Sequence, residues 1–228
     1  MERPYTILSC AVSVDGYIDD AGPDRLRLSN AADFDEVDEL RAGCDAILVG
    51  AETVRRDNPR LLVRSAERRR RRIAEGRTGD PVKAVLSASG RLDPKARFFT
   101  TGDAPKLIYV NGDAHTRTRE RFLGIRGVDV ADPGAPLDAS SVLADLARRG
   151  IERLLVEGGT QVHTLFLASG LADELRLAVA PFFVGDSAAP RFTGPGAFAN
   201  GPANPMRLAE TRTIGDMAVL RYLPGGTA

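Results

Sequence analysis

Histidine and cysteine are scarce in this 228-residue chain, at two residues each, and lysine is confined to Lys83, Lys95 and Lys106. His115 and His163 keep no metal-ligand spacing with Cys10 or Cys44, so no metal is expected. A zinc nucleobase deaminase needs His-x-Glu and Pro-Cys-x-x-Cys, and neither occurs. There is no Gly-x-Ser-x-Gly elbow and no P-loop. No apolar run approaches the roughly eighteen residues of a membrane span. Lys+Arg and Asp+Glu both number 31, so the net charge of zero gives no footprint for nucleic acid. The N-terminus runs straight into a strand-like segment without signal-peptide flanks. Both thiols sit in apolar surroundings that suit a reducing compartment. A cytoplasmic protein with no membrane or nucleic-acid partner is the expectation.

What is present is ordinary globular material, 43% hydrophobic and 27% charged. Strand-like runs fall at 6–14, 46–49, 82–86, 107–110, 153–156, 174–180, 206–213 and 217–223. Amphipathic helical windows lie between several of them. Phe34, Val37, Leu40 and Arg41 mark one. Val142, Leu143, Leu146 and Ala147 mark a second, ended by Gly150, and Val162, Leu165, Phe166 and Leu167 a third, ended by Gly170. Alternation of strand and helix predicts an α/β fold, a mostly parallel central sheet with helices on both faces. The last two strands, joined at Gly215-Asp216, predict a C-terminal antiparallel hairpin. No linker or repeat interrupts the chain, so residues 1–228 are expected to form a single domain. The run Arg68 to Arg72 reads as a solvated helix or mobile loop. Residues 181–205, rich in Gly, Pro, Ala and Asn, read as a long loop.

Four motifs sit where chemistry is expected. Residues 45–64, D-A-I-L-V-G-A-E-T-V-R-R-D-N-P-R-L-L-V-R, take a buried strand through Gly50 into a short helix carrying Thr53. The helix stops at Asp57-Asn58-Pro59, with Arg60 and Arg64 just beyond. Free N–H groups and arginine forks at a strand's carboxyl end suit a phosphorylated ligand. The second motif, Leu154 to Gln161, ends a hydrophobic strand in Glu157 and opens a helix through Gly158-Gly159. A tight turn explains the glycines alone. A buried carboxylate directly before them points further, because such groups are rarely buried without a task. The third, Ser13-Val14-Asp15-Gly16, is adequately explained as a plain turn. In the fourth, Ser87, Ser89 and Arg91 follow a strand and suit a ribose 2′-phosphate as well as they suit a solvent loop. His163 falls inside a helical window and reads as packed or hydrogen-bonded rather than catalytic.

Together these motifs resemble the riboflavin-pathway pyrimidine reductases, which have a dihydrofolate-reductase-like fold. The likeness covers nearly the whole chain. It runs through S-V-D-G, R-L-S, L-R-A-G-C-D-A-I-L-V-G-A-E-T-V-R-R-D-N-P-R-L, L-L-V-E-G-G-T, G-L-A-D-E-L and A-P-F-F-V-G-D. It implies an NADPH-dependent reductase that converts a pyrimidine ribosylamine 5′-phosphate to the ribitylamino form. By the same likeness Val12, Gly50, Thr53, Val54, Asp57, Glu157, Gly158, Gly159, Thr160 and Gln161 border the cofactor, with Ser87, Ser89 and Arg91 at its 2′-phosphate. Ser29, Asp33, Arg41, Leu61, Arg64 and Glu157 hold the substrate, and a homodimer is expected. No histidine or lysine sits in these motifs, so Asp57 and Glu157 are the expected catalytic carboxylates.

Four positions depart from the family pattern. Asn58 and Leu62 stand where D-D-P-x-L-T would place Asp and Thr, Ser87 ends a strand that often ends in Asp, and Arg25 replaces a Ser. Two other functions fit less of the sequence. A pterin or other carbonyl or imine substrate without phosphate would not need both Arg41 and Arg64. A non-catalytic nucleotide-binding module would not need Asp57 and Glu157 beside the anion contacts.

Overall fold

The computed structural model describes residues 2–225. In chain order the elements begin with β1 (Tyr5–Ser13), α1 (Ala31–Gly43), β2 (Ala46–Gly50), α2 (Ala51–Asp57), α3 (Ala66–Ala74) and β3 (Val82–Leu86). There follow α4 (Arg97–Thr100), β4 (Lys106–Tyr109), α5 (Asp113–Arg121), β5 (Val128–Ala131) and α6 (Ala139–Arg148). The chain ends with β6 (Arg153–Val156), α7 (Thr160–Ala168), β7 (Glu174–Ala180), β8 (Arg207–Ile214) and β9 (Met217–Leu223). Two compact units result. One comprises Asp38–Leu155 with the N-terminal residues through Tyr5, and the other comprises Thr6–Val37 and the chain from Val156 onward.

In the first unit the strand order is β5-β4-β3-β2-β6. β2 pairs with β3, β3 with β4 and β4 with β5, all parallel. The near-continuous apolar sequences of β2 and β4 follow from burial on both faces. Lys83 and Lys106, paired in register and buried, are the exceptions. Lys83 Nζ donates to Thr101 O at 2.6 Å and Phe98 O at 3.3 Å, and Lys106 Nζ donates to Gly102 O at 2.7 Å. The strand cations thus satisfy carbonyls at the C-terminal end of α4, where positive charge is favoured. Burial, with Lys106 close by, pushes the Lys83 ammonium down to about 8.

The arginine run is helical, the first of its two expected readings, but it is not merely solvated. It forms α3, capped by Ser65 Oγ accepting from Arg68 N. Arg68 pairs with Asp38 and Glu39, Arg69 with Asp80 at 2.8 Å, and Arg71 with Glu39. Arg72 is only 1% exposed. It donates from Nε to Thr78 O at 2.9 Å and from Nη1 to Ala42 O and Cys44 O at 2.8 and 2.6 Å. A block of like charge became ordered because acids from other segments meet it one by one. Besides the single turn α4, two elements here escaped the sequence patterns, β5 and α5. Both are short and polar, with Asp129 inside β5 and D-A-H-T-R-T-R-E-R as the whole of α5.

In the second unit the order is β1-β7-β9-β8, with β1 and β7 parallel and the last two pairings antiparallel. The expected terminal hairpin is β8–β9, turning at Gly215, and β8 is the exposed edge. Leu28, Ala178, Ala180, Ile214, Met217 and Val219 form a core cluster. Residues 181–205 contain no helix and are tied down repeatedly. Asp15 accepts from Val184 N at 3.1 Å, Gly185 N at 2.8 Å and Ser13 Oγ at 2.6 Å. Burial pushes its carboxyl up, but these donors outweigh it and hold Asp15 down to about 2. Arg191 lies 4.4 Å over the Tyr17 ring and donates to its hydroxyl at 2.8 Å. Both cysteines are free, and no helix among the described residues is long and apolar enough to cross a membrane.

Candidate functional site

The β2–α2 motif of the first unit builds as its sequence suggests. β2 ends at buried Gly50, the N-cap of α2, and α2 runs two turns to Asp57. Thr53 and Asp57 are half-buried, whereas Val54 faces the core. Asn58 closes the helix in the left-handed region at φ 42°, with its N–H on Val54 O, and its Oδ1 accepts from Arg97 N at 2.6 Å. This explains the Asn58 departure locally: the position needs a residue tolerant of positive φ with an acceptor oxygen, and Asn supplies both. Leu61 is also left-handed, at φ 47°, and buried. An ordinary side chain there is strained by roughly 1–3 kcal/mol and persists only where its surroundings dictate the backbone.

Two buried aspartates dictate it. Asp38 Oδ1 accepts from Arg64 N at 2.5 Å and Oδ2 from Ser65 N at 3.1 Å and Arg68 Nη1 at 3.0 Å. Asp80 Oδ1 accepts from Val63 N at 2.9 Å while Oδ2 holds Arg69. Arg41 Nη1 donates to Leu62 O at 3.2 Å. The segment that carries Leu61 and Arg64 is therefore a backbone loop bound on successive N–H groups to Asp38 of α1 and to Asp80, two residues before β3. Asp38 and Asp80 were not singled out by sequence. Their only signal there is a carboxylate inside a helical window and one before a strand.

The fourth motif divides its labour. Ser87 is 2% exposed and its Oγ accepts from Gly90 N at 3.0 Å, so that hydroxyl builds the turn and does not face a ligand. Ser89 and Arg91 are exposed. Together with Gly90, Arg117, Thr118 and Arg121 they line a cavity of about 350 Å³. Arg117 and Arg121 belong to α5, the helix that the sequence patterns missed.

In the second unit Val12 is buried near the end of β1, in register with Val179. Glu157 sits just past the end of β6 and is half-buried, which corrects the expectation of a carboxylate buried inside the strand. Gly158 and Gly159 adopt φ 138° and 94°, which only glycine takes without strain, so the start of α7 is bare backbone. The Thr160 hydroxyl donates to Arg191 O at 2.5 Å and Gly194 N donates to Thr164 Oγ1 at 2.8 Å. The Thr160 hydroxyl proton is thus committed to the 181–205 loop, and Gln161 is exposed beside it. Ser29 is half-buried. Asp33 is enclosed at 0% exposure, with Oδ1 accepting from Arg176 Nη2 at 2.5 Å. Arg176 also meets Glu36, which in turn pairs with Arg212. Asp33, expected to hold the substrate, is thus enclosed in an ion network, and a direct substrate contact would have to open a buried pair. His163 is fully buried, its ring 4.9 Å from that of Phe192, and burial pushes its imidazole down to about 4. It is a packed histidine.

The RibD C-terminal domain family matches residues 4–220. The chain belongs to this family. Over 190 residues it is 36% identical to the 2,5-diamino-6-ribosylamino-4(3H)-pyrimidinone 5′-phosphate reductase of Archaeoglobus fulgidus, covering 82% of this chain and 85% of that one. Over 225 residues it is 33% identical to the protein of the same name from Methanothermobacter thermautotrophicus, covering 98% and 100%. Among solved structures, a diaminohydroxyphosphoribosylaminopyrimidine deaminase/5-amino-6-(5-phosphoribosylamino)uracil reductase from Thermotoga maritima matches with a TM-score of 0.76 at 25% identity. That match covers 97% of this chain and 57% of the other, so the chain spans a little over half of that protein's length. The family and the α/β fold with its C-terminal hairpin are those expected from the motifs.

Proposed function

We propose that the chain is an NADPH-dependent reductase of a pyrimidine ribosylamine 5′-phosphate in riboflavin biosynthesis, with both units serving one activity in a homodimer. The observation that carries this reading is the identity of 36% and 33% to two reductases of that name, across 85% and 100% of their lengths. Those names favour the 2,5-diamino pyrimidine over its deaminated counterpart. The segment 61–65 supports a phosphorylated substrate, since two buried aspartates hold its backbone and it carries Arg64.

Each unit, taken by itself, has features that fit a dinucleotide. Gly158 and Gly159 leave the first turn of α7 open to close approach by an anion. The Ser89–Arg91 loop offers a hydroxyl and a guanidinium beside an arginine-lined cavity. Gly158, Gly159, Thr160 and Gln161 would hold the cofactor in the second unit, and Thr53, Ser89 and Arg91 in the first. Bound there, the dihydronicotinamide supplies hydride. Arg41 and Arg64 hold the substrate's phosphate, and Asp57 and Glu157 orient polar groups and hold or relay the proton.

The test is NADPH oxidation followed at 340 nm with the 2,5-diamino and the deaminated ribosylamine phosphates. Turnover of the diamino compound supports the proposal, and turnover of neither refutes it. Asp57→Asn should lower kcat while NADPH binding survives. A kcat near the wild-type value would remove Asp57 from the mechanism.

A further inference from the structure

Residues 191–199, in the long segment after β7, lie as a strap along one face of α7, and both belong to the second unit. Four contacts align them, in the same order on strap and helix. Arg191 O accepts from the Thr160 hydroxyl at 2.5 Å, and the Phe192 ring packs 4.9 Å from that of buried His163. Gly194 N donates to Thr164 Oγ1 at 2.8 Å, and Ala199 N donates to Leu167 O at 3.4 Å. The Thr164 hydroxyl in turn donates to Thr160 O at 2.7 Å, which returns the contact to the first turn. Thr160, His163, Thr164 and Leu167 stand at i, i+3, i+4 and i+7, the spacing of a single helical stripe.

Arg191 knots the near end of the strap to the turn after β1. Its guanidinium lies 4.4 Å over the Tyr17 ring and donates to the Tyr17 hydroxyl at 2.8 Å and to Asp15 O at 3.3 Å. Tyr17 is only 4% exposed, so the ring is a fixed platform. Ile18 N donates to Pro190 O at 2.9 Å and Phe192 N to Gly16 O at 3.0 Å, one on each side of this contact. Arg191 thus faces two ways, its side chain toward the β1 turn and its carbonyl toward the first turn of α7. Thr160, which meets that carbonyl, directly follows Gly158 and Gly159. No side chain caps α7 at Gly159, and glycine has little backbone preference of its own. Two glycines cannot by themselves fix where the first N–H groups of the helix point. The strap does so through Thr160.

We propose that Arg191 is a positioning residue for the nicotinamide nucleotide: it anchors the strap, and the strap sets the Gly159 turn on which the pyrophosphate binds. The inference rests on the NADPH reading above, and Arg191 acts through Thr160 rather than by touching the nucleotide. With the anchor removed, the first turn of α7 samples other directions, and a nucleotide has to order it on binding. That ordering is subtracted from affinity. The loss is confined to ligands that carry a pyrophosphate, since only they use the turn. Because coupling is reciprocal, a bound dinucleotide also holds the strap more firmly.

Titration calorimetry with NADPH, NADH, 2′-phospho-ADP-ribose and adenosine 2′-monophosphate tests it, on the whole chain and on Arg191→Ala, Arg191→Lys and Tyr17→Phe. Melting temperatures establish which variants fold, and Tyr17→Phe, which keeps the ring and loses only the hydroxyl, carries the test if Arg191→Ala does not. Arg191→Ala should weaken NADPH, NADH and 2′-phospho-ADP-ribose by one common factor of roughly tenfold, with adenosine 2′-monophosphate changed by less than about twofold. Arg191→Lys keeps the charge without the planar fork and should recover part of the loss. Tyr17→Phe should show the same pattern at roughly threefold. Hydrogen exchange at the Phe192 and Gly194 amides should slow when NADPH is added to wild type, and less so in Arg191→Ala. Unchanged dinucleotide affinity in the folded variants overturns the role of Arg191 and leaves the NADPH reading standing. An equal loss for adenosine 2′-monophosphate also overturns it, because the site as a whole has then loosened. Wild type that binds neither dinucleotide overturns both.

Discussion

Removing the Asp38 carboxylate should loosen the whole 61–65 segment. Asp38 is buried and accepts three hydrogen bonds, from Arg64 N, Ser65 N and Arg68 Nη1. Asp38→Ala strands two backbone N–H groups and withdraws one of the two acids that Arg68 meets, the other being exposed Glu39. Hydrogen bonds to a charged acceptor contribute about 1.5–3 kcal/mol each. Some water re-entry reduces the sum, so a net loss of about 3–5 kcal/mol is expected. For a chain of this size each kcal/mol lowers Tm by roughly 2–4 °C, which puts the expected drop near 10 °C. The function should move with it, because Leu61 holds its positive φ only while the residues after it are pinned. A raised KM for the ribosylamine phosphate, with little change in NADPH affinity, is the kinetic signature. Asp38→Asn keeps one acceptor and should fall between the two. Scanning calorimetry and steady-state kinetics on the three proteins decide the matter. An Asp38→Ala protein that melts within about 2 °C of wild type and keeps its KM refutes the role given to Asp38.

Two neighbours in the arginine run should behave differently. Arg72→Met removes the donor from two buried carbonyls, Ala42 O and Cys44 O, and from the part-buried Thr78 O; it should cost about 2–4 kcal/mol, whereas Arg70→Met on the exposed side should stay within about 0.5 kcal/mol, and equal urea midpoints for the two variants would contradict the buried-cation reading. His163 gives a pH dependence of defined sign. Its folded pKa of about 4 lies below its ordinary 6.5, so between these values the unfolded chain binds a proton that the folded chain does not. Stability should therefore decline as pH falls from about 6.5 to about 4, by about 3 kcal/mol from this group. Urea unfolding across that range, compared with His163→Leu, checks it, and an unchanged slope in the variant would assign the dependence to other groups.

The sequence by itself determined the elements whose pattern is local. β2, β3, β4, β6 and β7 are apolar runs of strand length bounded by turn residues, and they fall within a residue of where periodicity placed them. The β2–α2 motif and the Gly158-Gly159 turn were equally legible, because a glycine's backbone freedom and a helix stop at Asn58-Pro59 act on their immediate neighbours. α5 and β5 were not legible, since neither carries an apolar stripe and each is held by what it packs against.

Tertiary structure alone decided which charges matter. Asp38 meets backbone N–H groups 26 and 27 residues away, and Arg72 reaches carbonyls 28 and 30 residues away. Nothing in the local composition distinguishes Arg72 from Arg70, or Asp33 in its buried pair from an ordinary first-turn carboxylate. Ser87 and Ser89 look alike in sequence, yet one hydroxyl builds a turn and the other borders a cavity. A side chain's charge and hydrogen-bonding capacity are written in the sequence. Whether they are turned inward to hold backbone or outward toward a ligand depends on partners that only the folded chain brings within 3 Å.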